Sequence, residues 1–243
     1  MTLNQLPDIR SAEVENKKVF LRADLDVPLQ KSEIRNPKSE TRIEDDARLV
    51  AGMPTIKYLL DQKAKVIIGG KLGRPGGKVD ESLSVKPISE WLSINFQFPI
   101  SSFQFEKIDG LNGWRISENL LILENLRFYP GEEKNDSDFA KQLANLADLY
   151  VNDAFAMCHR AHASVVGIPK LLPHFAGIRL IEEVEHLSSI LENPKRPLVV
   201  IIGGKKIETK LPLVEKMIAF ADKVLVGGLI AKEVKNSSGN LLV

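Results

Sequence analysis

Short apolar runs alternate with longer amphipathic stretches along the chain. Residues 19–28 (VFLRADLDVP), 64–70 (AKVIIGG), 119–125 (NLLILEN), 149–152 (LYVN), 198–204 (LVVIIGG) and 223–228 (KVLVGG) are rich in Val, Ile and Leu and stop at Gly, Asn, Asp or Pro. That pattern predicts strands buried on both faces. A further short strand is expected at 101–105. Between these runs, residues 43–60, 83–96, 136–146, 178–191 and 211–221 carry apolar side chains near helical spacing. Pro54 predicts that the first of these helices either starts or kinks there. Residues 31–40 are polar, with Asn36-Pro37 marking a turn, and read as an exposed loop.

Repeated strand–helix alternation predicts an α/β fold: a parallel sheet with helices on both faces, a Rossmann-like three-layer arrangement. Ligands of such sheets bind beyond the carboxyl ends of the strands. The sequence Asn193-Pro194-Lys195-Arg196-Pro197 is the strongest internal punctuation. It predicts a first domain over 1–177, a connecting helix over 178–192 and a second domain over 193–243. About 50 residues are too few for an independent α/β domain, so the second is expected to be incomplete.

Composition narrows the function classes. The 243 residues are 44% hydrophobic and 27% charged, and 33 basic against 32 acidic residues leave a net charge of +1. No global field recruits nucleic acid or a membrane surface, so any basic site must be local. No apolar run approaches the roughly 20 residues of a spanning helix. A single cysteine, Cys158, rules out a disulfide framework within the chain and suits a reducing cytoplasm. One cysteine and four histidines make a zinc site unexpected.

Candidate chemistry sits after the strands. Side chains alternate along an extended strand, which would put Arg22, Asp24 and Asp26 on one side. The two carboxylates suit either a hard cation such as Mg²⁺ or hydrogen bonds to a hydroxylated, anionic ligand. Lys71 and Arg74 follow the strand at 64–70, Arg127 follows 119–125, and His159, Arg160 and His162 follow 149–152, while Arg48 lies after the first long loop. Converging arginines offer planar forks for phosphate and carboxylate oxygens. His159 and His162 read as hydrogen-bonding loop residues. Further on, Gly203-Gly204 closes a strand and lysines open the next helix, a way to bring backbone and cations close to phosphates. It is neither a Walker A loop nor a dinucleotide fingerprint.

Taken together, FLRADLDVP, DDARLVAGMPTIKYLL, KLGRP, LENLRFYPGEEKND, YVNDAFAMCHRAHAS and NPKRPLVVIIGGKKIETK resemble, in order, the motifs of the phosphoglycerate kinase family. The resemblance runs from Val19 to about Ala231. It implies a hinged two-domain kinase of glycolysis that moves a phosphoryl group between 1,3-bisphosphoglycerate and ADP, giving 3-phosphoglycerate and ATP. It implies 3-phosphoglycerate binding by Asp24, Leu25, Asp26, Arg48, Lys71, Leu72, Gly73, Arg74, Arg127 and Arg160, and nucleotide binding by Gly203, Gly204, Lys206, Lys210, Gly227 and Gly228. Arg48 and Lys206 would stabilise the transferring phosphoryl. Mg²⁺ would arrive as Mg-ATP or Mg-ADP, its protein ligand expected in sequence beyond this chain. A cytoplasmic monomer without nucleic-acid or membrane partners is expected. The chain is expected to be truncated, binding phosphoglycerate with weak or no turnover. Two alternatives stay open: a non-catalytic phosphoglycerate-binding module, and a different Mg²⁺-dependent phosphotransfer enzyme using Asp24 and Asp26. Asp26 and Lys71 stand where the family usually has asparagine and histidine, and an ion pair between them would compensate both changes. Ala156, Lys205 and Leu229 also depart from the usual small residues.

Overall fold

A computed structural model describes residues 6–31, 41–99, 103–204, 207–233 and 241–242. The chain divides into two compact units, Met1–Glu185 and His186–Val243.

The first unit is built on a seven-stranded sheet. Its strands are β1 (Lys18–Arg22), β4 (Lys65–Gly69), β5 (Gln104–Ile108), β6 (Leu111–Ser117), β7 (Leu120–Leu123), β8 (Leu149–Asn152) and β9 (His174–Ala176), in the order β5-β6-β7-β4-β1-β8-β9. A separate antiparallel hairpin pairs β2 (Leu29–Lys31) with β3 (Thr41–Ile43). From β7 to β9 all pairings are parallel. The expected parallel sheet is present, with one antiparallel edge formed by β5, β6 and β7. Tight connections of two residues between these strands leave no room for a crossover helix.

Alternate residues of the central strands face opposite layers. Val19 and Leu21 of β1, Val66 and Ile68 of β4, and Leu120 and Ile122 of β7 pack with Leu49, Ile56 and Leu59 of α1 (Ala47–Asp61) and Ile88 and Leu92 of α2 (Lys86–Asn95). Phe20, Ile67, Leu121 and Tyr150 face the other way, onto Phe139, Ala140 and Leu143, with the short α3 (Pro130–Glu133) leading into α4 (Ser137–Ala144). Both faces are covered, which explains the unbroken apolar runs. Helix α1 continues through Pro54. The carbonyl that Pro54 leaves unpaired belongs to Val50, an exposed position where water can reach it. The last helix to begin in this unit is α5 (Ile178–Glu192).

The second unit carries a parallel sheet of β10 (Val199–Ile202), β11 (Lys223–Val226) and β12 (Leu241–Leu242), with α6 (Ile207–Phe220) and α7 (Ile230–Glu233). Ile202, Val214, Val224, Val226 and Ile230 form its small core. Among the described residues no helix is long and apolar enough to cross a membrane.

Candidate functional site

The carboxyl ends of β1, β4, β7 and β8 open onto one cleft of about 240 Å³. Asp24, Asp26, Arg48, Lys71, Gly73, Arg74, Arg127 and Arg160 line it, joined by Ala156, Met157 and His159. The five cationic side chains arrive from four separate segments, Lys71 and Arg74 sharing the loop after β4, so it is the sheet that brings them together.

The two carboxylates are already engaged. Arg48 Nη1 donates to Asp24 Oδ2 at 2.6 Å, and Asp26 N–H donates to Asp24 Oδ1 at 3.3 Å. Gly73 N–H donates to Asp26 Oδ1 at 2.9 Å, while the Lys71 ammonium pairs with Asp26 Oδ2. The ion pair proposed from the sequence is therefore present in the fold. Burial pushes the Asp26 carboxyl up, but the Lys71 ammonium, the Gly73 N–H and the Arg48 charge together outweigh it and hold the group below the ordinary carboxylate range.

Two loops of the cleft are held by Asn125, which lies at the carboxyl end of β7 and is fully buried. Its Oδ1 accepts from Leu72 N–H and Arg127 N–H, both at 3.1 Å, and its Nδ2 donates to Leu72 O at 2.7 Å and Leu83 O at 3.0 Å. Arg127 Nη1 donates to Gly73 O at 2.8 Å, and its Nε lies 3.0 Å from Glu133 Oε1. Gly73 has φ +60, and an added Cβ would stand 2.7 Å from Leu83 Cδ2, so the Lys71–Arg74 turn needs glycine there. No role was assigned to Asn125 from the sequence. The signal was its position two residues before Arg127, where an Asn side chain commonly bonds a nearby backbone N–H.

Leu25 and Leu72 lie beneath the cleft in the core, each 2% exposed, and do not line it. Arg22 corrects the expected grouping with Asp24 and Asp26. It is fully buried on the Phe20 side of the sheet, with Nε donating to Ser164 Oγ at 2.9 Å. Strand β1 ends at Arg22, so the alternation that would align it with the aspartates stops there. His162 is also buried, its Nδ1 3.6 Å from Glu132 Oε1, whereas His159 is exposed.

Among the described residues no group of three His, Cys, Asp or Glu side chains could hold a metal ion. Asp24 and Asp26 do not fit a divalent cation either, since arginine and lysine already occupy their oxygens. Five cationic side chains against two carboxylates leave the lining positive, and Arg74 and Arg160 form no ion pair among the described residues. Such a lining suits a small ligand with several anionic oxygens and a hydroxyl.

In the second unit, Gly203-Gly204 follows β10 and Gly227-Gly228 follows β11. The two glycine turns meet: Gly228, at φ +69, would bring an added Cβ within 3.5 Å of Gly204 O. Lys210 is half-buried on α6. Lys205 and Lys206 lie outside the described residues.

An α/β protein with a basic, carboxylate-cornered cleft at its strand ends is the class that fold and geometry define. Comparison with known sequences narrows it. The family model for phosphoglycerate kinase matches residues 9–241, and the chain belongs to that family. It is 43% identical over 230 residues to the chloroplastic phosphoglycerate kinase of Volvox carteri, covering 91% of this chain and 47% of that relative. It is 42% identical over 228 residues to the phosphoglycerate kinase of Coprothermobacter proteolyticus, covering 92% and 56%. The solved phosphoglycerate kinase of Coxiella burnetii superposes with a TM-score of 0.75 at 33% identity, over 98% of this chain and 60% of that one. The chain thus spans about half the length of the curated relatives it matches.

Proposed function

We propose that this chain contributes the phosphoglycerate site and the first part of the nucleotide site of a phosphoglycerate kinase, a phosphotransferase that moves a phosphoryl group between 1,3-bisphosphoglycerate and Mg-ADP in glycolysis. The observation that carries the reading is the convergence of Arg48, Lys71, Arg74, Arg127 and Arg160 around Asp24 and Asp26 in one cleft. Phosphoryl transfer needs little covalent help from a protein. It needs alignment and neutralisation of charge spread over the moving oxygens.

Asp24 and Asp26 are acceptor-only when ionised and would take the hydrogen bond of the substrate's hydroxyl. Arg74 and Arg160, which form no ion pair among the described residues, would hold its anionic ends. Arg48 is held by Asp24 at 2.6 Å and would turn to the transferring group when the ligand competes for that carboxylate's partner. Lys206 would share that role, and Lys210 with the glycine turns would receive nucleotide phosphates. Mg²⁺ comes with the nucleotide as part of the substrate. A cytoplasmic monomer fits the reading, though one relative is named chloroplastic.

Titration calorimetry with 3-phosphoglycerate tests it, paired with a coupled assay for Mg-ATP turnover. Saturable binding, weakened about tenfold or more by Arg160→Ala and by added salt, is expected. Absence of saturable heat at millimolar ligand, or an Arg160→Ala variant that binds as well as the parent, overturns the reading. Binding without turnover would mark the chain as a binding module.

A further inference from the structure

We propose that Arg22, Ser164 and Glu132 form a buried positioning relay that locks the loop carrying His159 and Arg160 to the end of β1; the inference rests on the phosphoglycerate-site reading above. None of the three lines the cleft. Each sits close in sequence to a residue that does. Arg22 precedes Asp24 by two positions, Ser164 follows Arg160 by four, and Glu132 follows Arg127 by five. Three of the four strand-end segments therefore meet behind the cleft at a single hydroxyl.

The bonds run in one direction. Arg22 Nη1 donates to Ala23 O at 2.5 Å, and Arg22 Nε donates to Ser164 Oγ at 2.9 Å. Ser164 Oγ donates in turn to Glu132 Oε1 at 2.6 Å, and Ser164 N–H donates to Glu132 Oε2 at 3.0 Å. Tyr150 Oη closes the far side by donating to Ser164 O at 2.8 Å, and His162 faces Glu132 Oε1. Arg22, Ser164 and Glu132 are all 0% exposed. Burial pushes the Glu132 carboxyl up, yet His162, the Arg22 charge and both Ser164 donors outweigh it and hold the group ionised at neutral pH.

Stability alone does not account for such a cluster. Well-packed apolar side chains of similar volume commonly hold a fold as well as a buried ionic group does. What an apolar cluster lacks is direction: it tolerates small slides of one segment past another, whereas a hydroxyl bonded to both an arginine and a carboxylate does not. Arg160 is exposed and makes no ion pair of its own among the described residues, so its position depends on the segment that carries it.

The test is Ser164→Ala in the full chain, read by calorimetry with 3-phosphoglycerate well below the unfolding midpoint and by amide hydrogen exchange without ligand. The relay predicts an affinity loss of about tenfold and at least tenfold faster exchange across residues 155–162, with protection of β1 and β4 unchanged. Ser164→Thr, which keeps the hydroxyl, should restore both. Arg74→Ala is the control: it should weaken binding without touching exchange at 155–162. If Ser164→Ala does not fold, Glu132→Gln removes the charge at nearly constant shape and is read the same way. Affinity within twofold of the parent and unchanged exchange at 155–162, even with a lowered melting temperature, overturns the relay. Failure of the parent chain to bind overturns the phosphoglycerate reading instead, and the exchange data then decide the relay alone.

Discussion

Replacing Lys71 by methionine keeps most of the side chain's volume and removes its charge. Asp26 would keep its bond from Gly73 N–H at 2.9 Å but lose the ammonium. The Lys71 side chain is 12% exposed and that of Asp26 31% exposed, so the pair lies between two measured limits. Exposed pairs contribute about 0.2–1 kcal/mol, while breaking a fully buried pair costs about 3–5 kcal/mol. Water can reach the carboxylate left by Lys71→Met, which places that variant at about 1–2 kcal/mol. The more buried ammonium left by Asp26→Asn has less access to water, which places that variant at about 2–3 kcal/mol. The double variant should recover about 1–2 kcal/mol relative to the sum. Trp91 and Trp114, the only tryptophans, both lie in the first unit, so their fluorescence during urea unfolding reports that unit. Because the Asp26 carboxyl is lowered in the fold, the coupling is complete above the ordinary aspartate value of about 3.9 and is lost only as pH falls below it. Additivity of the two variants within about 0.5 kcal/mol at pH 7 would refute the reasoning. So would a coupling that disappears between pH 7 and pH 5.

Three further outcomes follow from the packing of the first unit. Burial pushes the Asp153 carboxyl up to about 6, against the Thr55 hydroxyl and the N–H groups of Leu180 and Arg179. Its folded pKa lies above the unfolded value, so the fold binds more protons between pH 4 and 6 and loses about 3 kcal/mol as pH rises through that window; Asp153→Asn should flatten this slope in urea midpoints measured against pH, and an unchanged slope would exclude Asp153 as its source. Asn125→Ala removes four hydrogen bonds from a fully buried side chain and should cost about 3 kcal/mol, with a parallel loss of 3-phosphoglycerate affinity because the Lys71–Arg74 and Arg127 loops lose their common anchor. Gly177→Ala would put a methyl 2.6 Å from Asp153 Cγ, beside the start of α5, and should cost about 2–3 kcal/mol in thermal unfolding, whereas Gly76→Ala meets no neighbour and should show only the smaller penalty of its positive φ.

Much of the first unit was legible because its central strands are buried on both faces. The runs VFL, VII, LLIL and LYV have to be apolar at every position, and each predicted strand there is found in the sheet. The antiparallel edge was not legible. Strands β5 and β6 have mixed exposure, so their alternation is weak and nothing local states which neighbour they pair with. Strand β9, three residues long and beginning at an exposed histidine, has too little pattern to stand out.

For the cleft lining, residue type and position after a strand pointed to Asp24, Asp26, Lys71, Arg74, Arg127 and Arg160, with Arg48 noted after the first long loop, and a parallel sheet delivers its carboxyl ends to one side. The family resemblance also suggested that Lys71 could answer the charge of Asp26, since both stand where other residues are usual. What only the tertiary structure decided is which way each group points once its strand stops. Arg22 and Asp24 are two residues apart, yet one is sealed against Ser164 and the other faces the cleft. The strand's period carries the first and not the second, and contacts from segments more than a hundred residues away complete the assignment.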